Sequence, residues 1–166
     1  MKKNLIKKIS AEISAVVSDI DGVLTNGEII YSTSGQELKS FNVKDGSSIK
    51  RLHEIGIKVA LISGRKSKSN RTRAKELNIK NLAEGVTNKN VALDKLIDKG
   101  FPSSNVCVIG DDIQDLEMFR HPCVTLKISV NDGHPDVIKA ADFVTLRNGG
   151  EGIMVEVSEL LIKSKA

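Results

Sequence analysis

The stretch that decides the fold is VVSDIDGVLT, residues 16–25, in which an apolar run ends in two aspartates one residue apart. Side chains alternate along a β-strand, so Asp19 and Asp21 project into one space at the strand's end. Two carboxylates held together repel each other unless a divalent cation lies between them or one is protonated. Gly22 then allows a sharp turn. In isolation the pattern also fits a strand followed by a polar turn, so the downstream sequence must decide.

The composition is that of an ordinary folded protein, with 40% hydrophobic and 28% charged residues. A chain of 166 residues is expected to form one domain over residues 1–166. Much of the basic excess behind the net charge of +4 lies at the two termini, and only 3% of residues are aromatic. We therefore expect no nucleic-acid partner, whereas a small anionic substrate suits the charge.

The cysteines and the apolar segments predict a cytoplasmic protein. Cys107 and Cys123 are not spaced as a CxxC pair, and Cys107 lies in an apolar strand-like run, so reduced structural thiols are expected. No apolar run approaches the roughly 18 residues that a membrane span needs. Residues 2–8 lack the apolar core of a signal peptide, and we expect no membrane partner.

Apolar runs alternate with amphipathic segments along the chain. Hydrophobic spacing predicts helices over residues 1–14, 47–55, 70–77, 88–99, 113–119, 135–140 and 150–161. Strands are predicted over residues 15–18, 57–62, 81–83, 106–109, 124–130 and 143–146. Asp132 is a candidate N-cap for the helix at Pro135. This alternation predicts an α/β fold, a doubly wound Rossmann-like parallel sheet with helices on both faces.

The segment before the first long helix has a different pattern. Residues 28–31 and 37–41 resemble two short strands around a turn that contains Gly35. This predicts an inserted β-hairpin over about residues 28–41. A hairpin of this size is marginally stable alone, so we expect it to pack on something else, such as another subunit.

Polar clusters directly follow three of the predicted strands. Asp19 and Asp21 follow the first, residues 63–65 (SGR) follow the second, and Asp111 and Asp112 follow the third. In parallel sheets the ligand crevice lies beyond the carboxyl ends of the strands. The three clusters therefore converge on one rim, which favours a functional site over a solvated turn.

These groups together support phosphoryl transfer. Oxygen ligands favour Mg²⁺, which commonly accompanies a substrate phosphate. Asp19 can attack phosphorus and carry the phosphoryl group, while Asp21 protonates the departing oxygen and later deprotonates water. Ser63 and the backbone N–H of Gly64 supply neutral donors to the phosphoryl oxygens, and Lys89 supplies a charged one.

Four stretches resemble, in order, the motifs of the haloacid dehalogenase superfamily of phosphatases: residues 19–25 (DIDGVLT), residues 63–65 (SGR), Lys89 and residues 110–115 (GDDIQD). The resemblance implies that Asp19 is the nucleophile and a Mg²⁺ ligand. It also implies that Asp21 is the acid/base and gives the metal its backbone carbonyl. The resemblance further implies that Asp111 is the third metal ligand and that Ser63 and Lys89 bind the phosphate. Asp112 and Asp115 are implied to be supporting carboxylates.

The hairpin and residues 41–46 (FNVKDG), 141–145 (ADFVT) and 149–152 (GGEG) resemble a cap-less branch of this superfamily. That branch contains the 3-deoxy-D-manno-octulosonate 8-phosphate phosphatases, and the resemblance covers nearly all of the chain after residue 14. It implies no separate cap domain and a homotetramer joined through the hairpin, in which a neighbour covers each site. The implied substrate contacts are Asn42, Val43, Lys44, Asp45, Gly46, Lys50, Gly64, Arg65 and Arg73.

The implied activity is Mg²⁺-dependent hydrolysis of that sugar phosphate, through an aspartyl phosphate, in lipopolysaccharide precursor synthesis. Lys44 and Lys50 stand where the branch usually carries Arg, and residues 150–156 lack the arginines common in its tail. A phosphatase acting on a nine-carbon sialic-acid-type sugar phosphate is therefore an alternative, although Arg65 favours the eight-carbon acid. Two non-enzymatic alternatives are a phosphatase-like assembly domain and a phospho-accepting receiver, which would need a different order of acidic motifs.

Overall fold

The structure, a computed structural model, describes residues 2–165. Its strands are β1 (Ala15–Ser18), β2 (Ile30–Tyr31), β3 (Glu37–Leu38), β4 (Lys58–Ser63), β5 (Asn81–Glu84), β6 (Val106–Gly110), β7 (Val124–Ser129) and β8 (Phe143–Val144). Its helices are α1 (Lys2–Glu12), α2 (Val43–Glu54), α3 (Lys68–Glu76), α4 (Lys89–Asp98), α5 (Asp115–Phe119), α6 (Pro135–Ala140) and α7 (Met154–Lys165).

Six strands form one parallel sheet in the order β5-β4-β1-β6-β7-β8, so β1 lies near its centre. All four residues of β1 are buried because both faces of the sheet are covered. Val16 packs with α2 and α7 on one face, whereas Ala15 and Val17 pack with α4, α5 and α6 on the other. The predicted doubly wound α/β fold is confirmed. Within residues 2–165, no helix is both long and apolar enough to cross a lipid bilayer.

Between β1 and α2 the chain forms the predicted hairpin. Strands β2 and β3 pair antiparallel, with Ile30 opposite Leu38. The turn is closed by the N–H of Ser32, which donates to the carbonyl of Gln36. The strands are shorter than predicted, and they form a sheet separate from the central one.

Two predicted helix starts are wrong by four residues each, and one predicted cap is wrong. Helix α2 begins at Val43 rather than at residue 47, because the Asn42 side chain accepts the N–H of Lys44 and caps the helix earlier. Helix α7 begins at Met154 rather than at residue 150, since the glycines at 150 and 152 have φ of +77° and +85°. The cap of α6 is His134, and Asp132 instead accepts the N–H of Gly149.

The loop before α7 lies tightly against the turn after β1. A Cβ added at Gly149 would lie 1.9 Å from the carbonyl oxygen of Gly22, and the N–H of Gly150 donates to the carbonyl of Val23. Only a residue without a side chain permits this approach. The loop therefore braces the turn that carries Asp21.

Asp45 joins α2 to α7 from inside the protein. Its side chain is buried, and Oδ1 accepts the N–H of Met154 at 2.9 Å. Its other oxygen is buried without a hydrogen-bond partner in the described part of the chain. Burial raises the pKa of Asp45 to about 6, although the hydrogen bond from Met154 and the charges of Arg73 and Arg147 oppose the shift.

Replacing Asp45 with asparagine should change how stability depends on pH. Because the folded protein binds the Asp45 proton more tightly than the unfolded chain does, the wild type loses stability as pH rises from about 4 through about 6. The amide of the variant cannot ionise and escapes this loss. We expect the free energy of unfolding of Asp45→Asn, relative to that of wild type, to increase by about 1–3 kcal/mol between pH 4.5 and 7.5. Melting temperatures of the two proteins, measured across this pH range, check the expectation. The exposed Asp98→Asn is the control, and a difference independent of pH would contradict the raised pKa.

Candidate active site

The carboxyl ends of three neighbouring strands bring the predicted catalytic groups together. Asp19 follows β1, Ser63 ends β4, and Asp111 follows β6, while Lys89 enters from the start of α4. One carboxylate oxygen each from Asp19, Asp111 and Asp115 lies within 4.8 Å of the other two. The rule that strand ends share one rim therefore located this cluster correctly.

Lys89 is the cation of the cluster. Its Nζ lies 3.0 Å from Asp19 Oδ1 and 2.7 Å from Asp115 Oδ1, and its side chain is almost entirely buried. Burial alone would lower the pKa of Lys89, but the charges of Asp19 and Asp115 outweigh burial and raise it. Asn88 caps α4 by accepting the N–H of Val91, which fixes the position from which Lys89 extends.

Asp115 holds the turn that follows β6. Its Oδ2 accepts the N–H groups of Asp111 and Asp112, and its Oδ1 accepts Lys89 Nζ. A Cβ added at Gly110 would lie 2.3 Å from the Asp115 Cβ, so this turn requires glycine. Since both oxygens of Asp115 already have donors, the geometry favours the predicted supporting role over metal ligation.

The remaining carboxylates of the cluster are poorly compensated. Burial raises the pKa of Asp19 to about 6, and the charge of Asp115 adds to this while Lys89 opposes it. Burial, then the charges of Asp19 and Asp115, raises the pKa of Asp111 to about 8. One lysine cannot neutralise three carboxylates, so an additional positive charge beside Asp19 and Asp111 would be favourable.

The donor set fits Mg²⁺. Asp111 Oδ1 is buried and lacks a hydrogen-bond partner among residues 2–165, and one Asp111 oxygen lies within 4.8 Å of an Asp19 oxygen. An all-oxygen site with two available carboxylates is typical of Mg²⁺. Gly22 leaves the necessary room, because a Cβ there would lie 2.0 Å from Asp111 Oδ2.

The carboxylate of Asp21 lies apart from this cluster. Lys39 Nζ donates to its Oδ1 at 2.5 Å, and Ser63 Oγ donates to its Oδ2 at 3.0 Å. The side chain is 24% exposed, so a substrate could reach it. The contribution of its backbone carbonyl to the metal remains a prediction.

Sequence reasoning missed Lys39 and Glu37 as site residues. Glu37 accepts two hydrogen bonds from the guanidinium of Arg65, and its Oε1 lies 3.6 Å from Lys39 Nζ. The hydrogen bond from Arg65 holds the pKa of Glu37 below its usual value. Their i, i+2 spacing around β3 was an available signal, because it predicts that both side chains share one face.

The predicted substrate contacts fall into four groups. Asn42 and Arg73 hold the start of α2: Asn42 caps it, and the guanidinium of Arg73 donates to the Asn42 carbonyl at 2.8 Å. Asp45 is turned into the interior. Arg65 and Gly64 lie beside Ser63 at the rim. The rest of the set, whose contacts with substrate remain predictions, comprises Gly46, which is partly buried, and Val43, Lys44 and Lys50, which are exposed.

Comparison with known proteins agrees with this geometry. Residues 81–157 match the haloacid dehalogenase-like hydrolase family. The chain is 40% identical, over 90% of its length and 79% of the relative's, to the 3-deoxy-D-manno-octulosonate 8-phosphate phosphatase KdsC of Escherichia coli K12. The chain belongs to this phosphatase family of the haloacid dehalogenase superfamily.

Solved structures of this phosphatase family have the same fold. The enzyme from Moraxella catarrhalis, in complex with a magnesium ion, a phosphate ion and a KDO molecule, has a TM-score of 0.91 at 37% identity. That match covers 98% of this chain and 92% of the other. The Yersinia pestis enzyme has a TM-score of 0.91 at 35% identity, covering 96% and 86%. Membership of the family and the oxygen donor set together identify Mg²⁺ as the cofactor.

Replacing Asp111 should weaken the response of the protein to Mg²⁺. An ion that binds only the folded state raises the melting temperature, so Mg²⁺ should stabilise the wild type relative to the same protein in EDTA. Asp111→Asn removes one of the two available carboxylates, and we expect Mg²⁺ affinity at least about tenfold weaker by calorimetry. The exposed Asp136→Asn should respond like wild type. A full thermal shift in Asp111→Asn would place the ion elsewhere.

Proposed function

We propose that this protein is a Mg²⁺-dependent phosphatase that hydrolyses 3-deoxy-D-manno-octulosonate 8-phosphate to the free sugar acid and phosphate. One observation carries the proposal: Asp19 stands at a strand end, 3.0 Å from the Lys89 ammonium and within 4.8 Å of a carboxylate oxygen of Asp111. This places a nucleophile, a cation and a metal-ligand pair around one point. The relative from Escherichia coli K12 is named as a phosphatase of this sugar phosphate.

In the first step, an Asp19 oxygen attacks phosphorus. The bond from that oxygen to phosphorus forms as the bond from phosphorus to the sugar oxygen breaks, and protonated Asp21 gives its proton to the departing sugar oxygen. Lys89 Nζ, already 3.0 Å from Asp19, holds the nucleophile and offers a charged donor to the phosphoryl group. Asp19 and Asp111 would hold Mg²⁺, and the bound ion would supply positive charge to the phosphoryl oxygens.

In the second step, water releases the phosphate. The Asp21 carboxylate accepts a proton from water, water attacks the phosphorus of the aspartyl phosphate, and Asp19 regains its free carboxylate. Ser63 lies at the right place for both steps, because its hydroxyl donates to Asp21 at 3.0 Å and can turn to a phosphoryl oxygen. The net reaction consumes one ester and one water.

The Asp19→Asn variant tests the nucleophile directly. Wild type with Mg²⁺ should release phosphate from 3-deoxy-D-manno-octulosonate 8-phosphate, and EDTA should stop the release. Because an amide cannot form the acyl phosphate, we expect the variant to lose activity by at least about a thousandfold. Asp98→Asn is a matched aspartate control far from the site. Full activity in Asp19→Asn would contradict the mechanism, and faster hydrolysis of a nine-carbon keto-acid phosphate would contradict the named substrate.

We propose further that residues 1–166 act as one domain within a homotetramer joined through the hairpin. Ile29, Ile30, Tyr31 and Leu38 are each between 42% and 62% exposed, which concentrates apolar surface on an element too small to be stable alone. On the inner side of the same hairpin, Lys39 donates a hydrogen bond to Asp21. A neighbouring subunit packed on the hairpin would therefore border the active site.

Sedimentation velocity tests this assembly. Wild type should sediment with a mass near four times the 18.0 kDa chain. The double variant Ile30→Glu/Tyr31→Glu should dissociate, because it places charges where an apolar contact is required. Leu146→Glu alters an exposed leucine outside the hairpin and should leave the mass unchanged. A monomeric wild type, or a hairpin variant of unchanged mass, would contradict the proposal.

A cytoplasmic location and a role in lipopolysaccharide precursor synthesis complete the proposal. Cys107 and Cys123 are free and buried on opposite faces of the sheet, so they do not pair. Reduced thiols of this kind suit a reducing compartment.

A further inference from the structure

A lysine from the hairpin reaches the proposed proton donor. Lys39 follows β3 directly, and its Nζ lies 2.5 Å from Asp21 Oδ1 although its side chain is only 3% exposed. The other Asp21 oxygen accepts the hydroxyl of Ser63 at 3.0 Å. Two donors from different elements therefore fix the plane of one carboxylate.

The hairpin holds this lysine through a second carboxylate. Glu37 Oε1 lies 3.6 Å from Lys39 Nζ, and Glu37 Oε2 lies 2.5 Å from Arg65 Nη2. Charges thus alternate from Arg65 through Glu37 and Lys39 to Asp21. A buried ammonium without such partners would be strongly disfavoured, so the chain of ion pairs makes the position of Lys39 specific.

We infer that Lys39 is a positioning residue for proton transfer by Asp21, and that it couples the placement of the hairpin to the chemical step. Asp21 lies on a turn, where its side chain could adopt several rotamers. The Lys39 ammonium selects the one that presents the carboxylate between Ser63 and the open rim. Lys39 itself needs no contact with substrate. This inference rests on the proposed phosphatase function.

Such a role has a specific kinetic signature. A proton donor matters most when the leaving oxygen is strongly basic, as in an alkyl phosphate, and little when it is a nitrophenolate. Misplacing Asp21 should therefore steepen the dependence of rate on the leaving-group pKa. A residue that only stabilises the fold would lower all rates equally, and one that only binds the sugar would raise KM for the sugar phosphate alone.

The experiment compares wild type and Lys39→Met on aryl and alkyl phosphate monoesters, from nitrophenyl phosphate to glycerol phosphate, with Mg²⁺. Met keeps the apolar stem and removes the ammonium. We expect the single-turnover release of glycerol from glycerol phosphate to slow about tenfold or more, and that of nitrophenolate to stay within about threefold. Lys39→Arg should recover part of the alkyl activity, because its guanidinium can donate a charge-assisted hydrogen bond to the same carboxylate. Lys95→Met, an exposed lysine of α4, should match wild type.

An equal loss in the single-turnover rate of leaving-group release for all the esters, or no loss of that rate on glycerol phosphate, would overturn the inference. A wild type inactive on every ester, including the sugar phosphate, would refute the proposed function instead. If Lys39→Met does not fold, Glu37→Gln takes its place, since it removes the anion that anchors Lys39 and retains the side-chain shape. This variant should show the same steeper dependence with a smaller amplitude, and an unchanged dependence would overturn the inference.

Discussion

Repulsion among buried carboxylates is the constraint on which the site depends. Asp19, Asp111 and Asp115 converge where three strand ends meet, and Lys89 is the ammonium placed among them. Asp115 is fully occupied by donors, whereas burial first, and then the neighbouring carboxylates, raise the pKa values of Asp19 and Asp111. The demand for a divalent cation thus follows from the electrostatics of the protein itself.

Close backbone packing keeps these charges in place. Glycines at 22, 110 and 149 lie where a Cβ would collide with Asp111, with Asp115 and with the carbonyl of Gly22, respectively. Each removes a side chain so that two segments can touch. The loop before α7 therefore helps to shape a site whose main residues lie earlier in the chain, from Asp19 to Asp115.

The hairpin has two faces with different chemistry. Its outer face exposes Ile30 and Leu38, whereas its inner face carries Tyr31 opposite Glu37 and sends Lys39 into the site. Because so small a sheet gains little stability by itself, packing on its outer face would also steady the inner one. The hairpin thus links the proposed assembly of subunits to the proposed proton transfer by Asp21.

The sequence by itself determined the α/β class, the six central strands and the convergence of Asp19, Ser63 and Asp111, because strand periodicity and the strand-end rule are short-range and topological. It misplaced the starts of α2 and α7, since capping by Asn42 and the positive φ of the glycines before Met154 depend on local geometry that periodicity does not encode. Only the tertiary structure decided that Lys39 meets Asp21. That contact joins residues 18 positions apart, and it exists because the hairpin folds back over the rim of the sheet, which no local pattern specifies.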